Sequence, residues 1–312
     1  MISEEARRVL RDGVLLYAAA PGPDAPHLTP MVFVLAEERL WATTARGSRK
    51  VRLWRAMPEG GGLVRVGDRA VSFRGRVDLY DLLDPTTWGR SLFRSPLLTR
   101  AALGFSRKNA RFFAGYARDA HRVPFGWTPP GRVFLSIALR DGVLLDLSEG
   151  EVLRSWGTLD EGLTGAASFR RAPPRPAPDA GVPGDVLDAL GDEGRGALAL
   201  GDAPVLPVRW RRSQEEVAYY AVVPAPFLER TGAADRARAT LVLDHLSRWR
   251  ASRMLGMQLR GEGRVYVPGR LRSGGASLVD RSGATEGDAV VRLRPDRVVW
   301  WRGWASGSLG AR

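Results

Sequence analysis

The chain contains no cysteine. That excludes a disulfide framework, a thiolate metal site and a cysteine nucleophile, and it leaves stability to packing. Histidine is almost as scarce: His27, His121 and His245 are scattered and show no metal-ligand spacing. They remain the only candidates for an axial haem ligand, although a lone histidine is more often structural. Long apolar runs are missing as well, and none approaches the roughly 18 residues of a membrane-spanning helix. The start, MISEEARRVLRDG, is charged rather than apolar and does not read as a secretory signal. A cytoplasmic protein without a membrane partner is therefore expected. Lysine is nearly absent too: of 47 basic residues only Lys50 and Lys108 are lysines.

What is present is a surplus of arginine. The net charge of +13 over 312 residues would suit a nucleic-acid binder. The arginines, however, are spread through strands and loops alike and carry no binding motif, so no nucleic-acid partner is expected. No Ser/His/Asp set and no paired carboxylates suggest an acid–base or nucleophilic enzyme. The length suits two ordinary domains.

Hydrophobic patterning divides the chain in the same way. After a short helical start over Ile2 to Leu10, capped by Ser3, the runs GVLLYAAA, HLTPMVFVL, RLWATTA, GGLVRVG and RAVSFRGRVDLYD are short and rich in branched or aromatic residues. Gly, Pro, Asp or Glu separates them, the pattern of an antiparallel barrel or sandwich. The second half replays the order. GALALGDAPVLPVRW answers the first two runs, VAYYAVVPA answers RLWATTARG, and MLGMQLRGEGRVYV answers RAVSFRGRVDLYD. Each half closes on a related strand, 133–147 and 289–301. Four matches in one order indicate a tandem repeat.

The expected architecture is mainly β: an N-terminal barrel over 1–165, a Pro/Ala-rich linker over 166–185 and a C-terminal barrel over 186–312. The first barrel carries a helical insertion over about 86–122, read as two helices joined near Gly104.

One stretch concentrates anion-binding chemistry. In WATTARGSRKVRLWR, a strand ends in Thr43, Thr44 and Arg46, followed by Gly47 and then Ser48, Arg49 and Lys50 at the start of a short predicted helix. Hydroxyls, a guanidinium fork, an ammonium and unpaired helix N–H groups together suit a phosphate dianion. Ser106-Arg107-Lys108 repeats the tripeptide inside the insertion, where it reads as a solvated face.

The order HLTPMVFV, LWATTARGSRKV, AVSFRGRVDL resembles the pyridoxamine 5′-phosphate oxidase-like family, the FMN-binding split β-barrels. The resemblance implies that Thr44, Ser48, Arg49 and Lys50 hold a flavin phosphate, with Thr43 and Arg46 beside them. It also implies that Met31, Val32 and Phe33 run along the isoalloxazine and offer it backbone groups. The family's basic residues on that strand are missing here.

In the second repeat the matching stretch is YAVVPAPFLE, Tyr220 to Glu229, in which the hydroxyls and the Ser-Arg-Lys are lost. A glutamate there would repel phosphate. Instead, QLRGEG resembles the family strand whose Gln hydrogen-bonds the flavin ring, which implies Gln258, with Ala70 as its first-repeat counterpart. RPDRVVWWRG implies a ring-contacting Trp301, whose counterpart falls near Asp146. Trp249, between Arg248 and Arg250, would reach over the ring, bind an anionic substrate or simply lie between the arginines on a solvated turn.

Complementary losses predict an intramolecular pseudo-dimer with one cofactor site between the repeats. It would be a monomer or a homodimer. The leading expectation is an FMN-dependent oxidoreductase acting on a small-molecule substrate. The deazaflavin coenzyme F-420 is the alternative cofactor, with Arg46 and Arg52 near its anionic tail. A non-catalytic flavin or haem binder and a cofactor-free interaction module are the other readings.

Overall fold

The computed structural model describes residues 2–81, 83–89, 95–111, 114, 131–160, 181–213, 215–231, 236–245, 253–267 and 275–310. Helix α1 (Glu4–Asp12) opens the chain, with Ser3 accepting from the Ala6 N–H and with Ala6, Val9 and Leu10 turned into the core. Strands β1 (Leu15–Ala20), β2 (His27–Ala36), β3 (Arg39–Ala45), β4 (Glu59–Val66), β5 (Arg69–Tyr80) and β6 (Arg132–Ala138) follow. They pair in the order β4-β1-β2-β3-β6-β5, and β5 pairs again with β4, which closes a six-stranded antiparallel barrel. Strands β7 (Asp141–Asp146) and β8 (Glu151–Trp156) extend from β5.

The second repeat has the same topology. Strands β9 (Glu193–Leu200), β10 (Leu206–Ser213), β11 (Ala218–Pro224), β12 (Arg236–His245), β13 (Leu255–Tyr266) and β14 (Asp288–Arg302) pair as β12-β9-β10-β11-β14-β13, and β12 closes on β13. Strand β15 (Ala305–Gly310) extends from β14 as β8 does from β7. Where the first repeat uses two strands, β6 and β7, the second uses the single long β14. In both, the paired inner strand breaks register at an Arg-Gly step, Arg74-Gly75 and Arg260-Gly261. A Cβ on Gly75 would lie 1.5 Å from the Ala138 carbonyl oxygen, and one on Gly261 would lie 1.8 Å from that of Arg294. Only glycine allows the closing strand so near.

Short helices occupy matching places: α2 (Arg49–Ala56) and α5 (Ala225–Thr231) follow the third strand of each barrel, and α4 (Gly184–Leu190) precedes the second barrel as α1 precedes the first. The expected linker lies mostly outside the described residues. Helix α3 (Ser95–Lys108) lies in the described part of the insertion, with α6 (Gly275–Ser282) at the corresponding place in the second repeat. The insertion does not break at Gly104. One helix runs through it, because Ala101 and Phe105 pack on Val34, Trp41 and Phe134 of the barrel wall and hold the turn together. Nor is the second Ser-Arg-Lys wholly solvated. Ser106 and Arg107 are exposed, but Lys108 Nζ lies 4.0 Å above the Phe33 ring.

Each barrel splits at one corner. Strand β2 pairs with β3 only through Phe33–Ala36, while His27–Val32 pair with β1 alone. Beyond Ala42, β3 turns to β6, so Thr43–Ala45 diverge from β2. The two barrels share a core at their seam: Tyr17, Leu28, Leu63, Val143 and Leu145 pack with Leu198, Phe227, Leu241 and Leu259.

Candidate anion site at the seam of the repeats

The split between β2 and β3 is floored by the start of α2. Ser48 stands at the N-cap, but its side chain makes no capping bond and instead lies 3.4 Å from the Thr44 hydroxyl. The first N–H groups of α2 therefore lack a side-chain cap. Lys50 reaches back across the split and donates to Thr29 Oγ1 at 2.7 Å. Burial, with a smaller contribution from Arg132, pushes its ammonium down to about 7. Arg49 is a third exposed and has one weak acidic neighbour, Asp24 at 4.0 Å.

The opposite wall comes from the second repeat. Cross-strand pairs Arg260–Arg297, Gln258–Val299 and Gly256–Trp301 succeed one another at a spacing of two, so their side chains share one face of the β13–β14 ladder. Arg260 donates to His27 Nδ1, and Gln258 Nε2 donates to the Leu28 carbonyl. His27 is pulled well below its ordinary range, first by burial and then by Arg260, Lys50, Arg49 and Arg297. Arg260 itself drops to about 10 through burial and through Arg49, Arg297 and Arg238, opposed by Asp24. Four cations from two barrels thus surround one imidazole with little counter-charge. Two buried atoms on this face, Gln258 Oε1 and Arg260 Nε, have no hydrogen-bond partner.

The sequence-derived residues fall into distinct places. Thr44, Ser48, Arg49 and Lys50 come together at the split, with Gln258 and Trp301 on the facing ladder. Trp301 lies against Gly256, where a Cβ would come within 2.4 Å of the indole. Thr43 points to the other side of β3, where Arg132 donates to its hydroxyl at 2.6 Å and to its carbonyl at 2.8 Å. Arg46 is committed to Asp81, with Nε 2.9 Å from both carboxylate oxygens, and so lies off the split. Met31 and Phe33 turn their side chains into the barrel core and Val32 packs toward α3. What β2 can offer here is its backbone edge, unpaired on the β3 side through Val32. Trp249 lies outside the described residues.

Three participants were not singled out from the sequence for an anion: His27, Arg260 and Arg297. A signal for Arg260 existed, since it stands two residues after Gln258 on a strand and must share its face.

The matching corner at the second seam is closed. By sheet register Thr44 corresponds to Val223, Ser48 to Phe227, Arg49 to Leu228 and Lys50 to Glu229. Val223, Phe227 and Leu228 are buried in one cluster with Val143 and Leu145 of the first repeat, and Glu229 is exposed. Apolar side chains fill the space that polar ones line at the first seam. Register also corrects one equivalence and meets another. Aligned on Arg74-Gly75 and Arg260-Gly261, Gln258 matches Ser72 rather than Ala70, and Trp301 matches Leu145, next to Asp146. Ser72 donates to the Val205 carbonyl at 2.6 Å, as Gln258 donates to that of Leu28. The two bonds are mates about a pseudo-twofold axis.

This strand order, its closure and the split corner occur once in each half. The chain is a tandem pair of six-stranded antiparallel split β-barrels. No protein-family profile and no curated protein matches it. Among solved structures it is similar to an FAD-binding protein from Mesorhizobium loti, at 17% identity and a TM-score of 0.32, over 46% of this chain and 94% of that one. A conserved hypothetical protein from Mycobacterium tuberculosis overlaps at 23% identity and a TM-score of 0.35, over 50% and 93%. An F-420 reductase overlaps at 21% identity and 0.30, over 44% and 95%.

No helix among the described residues is long and apolar enough to cross a membrane.

Proposed function

We propose that the first seam of this split-barrel pair binds the phosphate and ring of a flavin, FMN or the deazaflavin coenzyme F-420, and that the chain is an oxidoreductase for a small-molecule substrate. The observation that carries the reading is the convergence of Arg49, Lys50, Arg260 and Arg297 on His27 without matching carboxylates. Like charges drawn together around a buried Arg260 are costly unless an anion completes them. The donor set fits a phosphate monoester: a guanidinium, an ammonium, two hydroxyls and the uncapped start of α2. The unpartnered Gln258 Oε1 and the Trp301 indole fit the edge and face of a heterocycle.

A bound flavin would supply the hydride acceptor or donor at its N5. The chain's own groups have other work. Arg49 and Lys50 bind and neutralise, Gln258 orients, and the Trp301 face excludes water. A resident haem is disfavoured at His27. Its Nδ1 accepts from Arg260, so the ring proton sits on Nε2 and neither nitrogen keeps a free lone pair. Joining both walls in one polypeptide makes a monomer sufficient for a complete site.

Titration of FMN and of F-420 by ligand fluorescence tests the reading. One of them should bind, and Arg49→Ala/Lys50→Ala should weaken it about 100-fold or more, because two charge-assisted bonds are lost. No binding of either, or unchanged affinity in the double variant, would remove the assignment.

A further inference from the structure

The two seams share a backbone but not a charge. Arg260 of the first seam is matched by Arg74 at the second, and Arg297, cross-strand from Arg260, by Asp141, cross-strand from Arg74. Arg238 pairs with Glu262, and its mate Glu59 pairs with Arg76. Thr240, opposite Arg260, is matched by Gly61, opposite Arg74. His27, preceding Leu28, is matched by Pro204, preceding Val205. At the first seam these places are filled, for Thr240 donates to the Pro26 carbonyl at 2.5 Å and His27 packs under Arg260. At the second seam the smaller Gly61 and Pro204 leave a cavity of about 400 Å³.

Its walls are of two kinds. Ala19, Pro21, Pro26, Met57 and Val205 give an apolar side, while Glu59, Asp141 and Asp202 face Arg74 and Arg140. Both guanidiniums are engaged within the protein: Arg74 donates to the Asp202 carbonyl and Arg140 to Glu59 at 3.2 Å. Asp141 commits one oxygen to the Thr158 N–H at 2.8 Å. Glu59 neutralises Arg140, whereas Arg74, bonded to a neutral backbone carbonyl, keeps its charge beside Asp141 and Asp202, which leaves one carboxylate in excess.

We propose that this cavity is a second ligand site, separate from the anion site, that takes a small organic cation such as an amine or amidinium, with Asp141 and Asp202 as its charge partners. The volume lies within the ordinary range of small-molecule pockets. The apolar wall would pack a short hydrocarbon or aromatic body, and replacement of Arg238 and Arg297 by Glu59 and Asp141 repels the phosphates that the first seam attracts.

Benzamidine, with benzoate as its anionic counterpart, is the probe. In the full chain carrying methyl-labelled methionine, benzamidine should shift the Met57 signal saturably and benzoate should not. Asp141→Asn/Asp202→Asn should weaken benzamidine about tenfold, since one or more charge-assisted bonds lose their charge while the new amide oxygen at position 141 can still accept from the Thr158 N–H. The single variant Asp202→Asn, at an exposed loop position, gives the same readout if the double variant melts early. Arg49→Ala/Lys50→Ala should leave benzamidine binding unchanged, so this result and failure of the flavin reading are distinguishable. Absence of a saturable Met57 shift, equal binding of benzoate, or undiminished affinity in the Asp202→Asn variants would overturn the proposal.

Discussion

Lys50 illustrates how one residue's environment sets its chemistry. An exposed lysine is charged across the physiological range, but this one is held near 7 by burial and by Arg132. Its charged form therefore dominates below that value and is lost as pH rises through it. Sulfate stays dianionic over the whole interval, so its ability to raise the melting temperature should be clear at pH 6 and much reduced at pH 9. Lys50→Met should flatten that dependence, and a wild-type sulfate effect that persists unchanged to pH 9 would contradict the placement. Legibility at this scale was mixed. Residue type and spacing grouped Thr44, Ser48, Arg49 and Lys50 at one bend, where the structure also gathers them. They did not announce that Thr43 would turn to Arg132, because the direction of a side chain at a strand end depends on where the strand goes next.

At the scale of elements, the bend that carries Ser48 is fixed by a neighbour the sequence pattern does not mark. Asp81, 1% exposed, accepts from Arg46, from Arg55 Nη2 at 2.9 Å and from the Leu83 N–H at 3.1 Å. It ties the turn before α2 and the end of α2 to the end of β5. Asp81→Ala strands the half-buried Arg46 and should cost about 3 kcal/mol in chemical denaturation. A loss below 1 kcal/mol would show that the clamp is dispensable. The helical insertion teaches a related point. Its apolar spacing was readable, yet the break expected at Gly104 does not occur, since the packing of Ala101 and Phe105 on the barrel outweighs the roughly 1 kcal/mol that glycine costs inside a helix.

For the whole molecule, the seam is where two barrels become one protein. Beside the shared apolar core, Tyr17 of the first repeat donates to Asp244 of the second at 2.8 Å. Burial raises the Asp244 carboxyl above its ordinary range, opposed by the Tyr17 bond, Arg65 and His245. A carboxyl raised in the folded state binds its proton more tightly there than in the unfolded chain. Stability from this group is present at low pH and lost as pH rises from the unfolded carboxylate range through the raised value. Asp244→Asn keeps an acceptor for Tyr17 and carries no charge. Urea midpoints of the variant should decline less than those of wild type between pH 5 and pH 8, and identical declines would refute the role of this carboxyl.

Strand period, turn residues and the ordered echo between halves were local signals, so the duplicated barrel could be read from the chain alone. The facing of the repeats was not local. That Arg260 and Arg297 lie across from Arg49 and Lys50, that Phe227 and Leu228 plug the second corner, and that Gly61 and Pro204 leave a cavity elsewhere along that seam all depend on residues about 80 to 250 positions apart. Side chains so distant meet only through the pseudo-twofold seam, whose geometry comes from tertiary packing and not from any stretch of sequence.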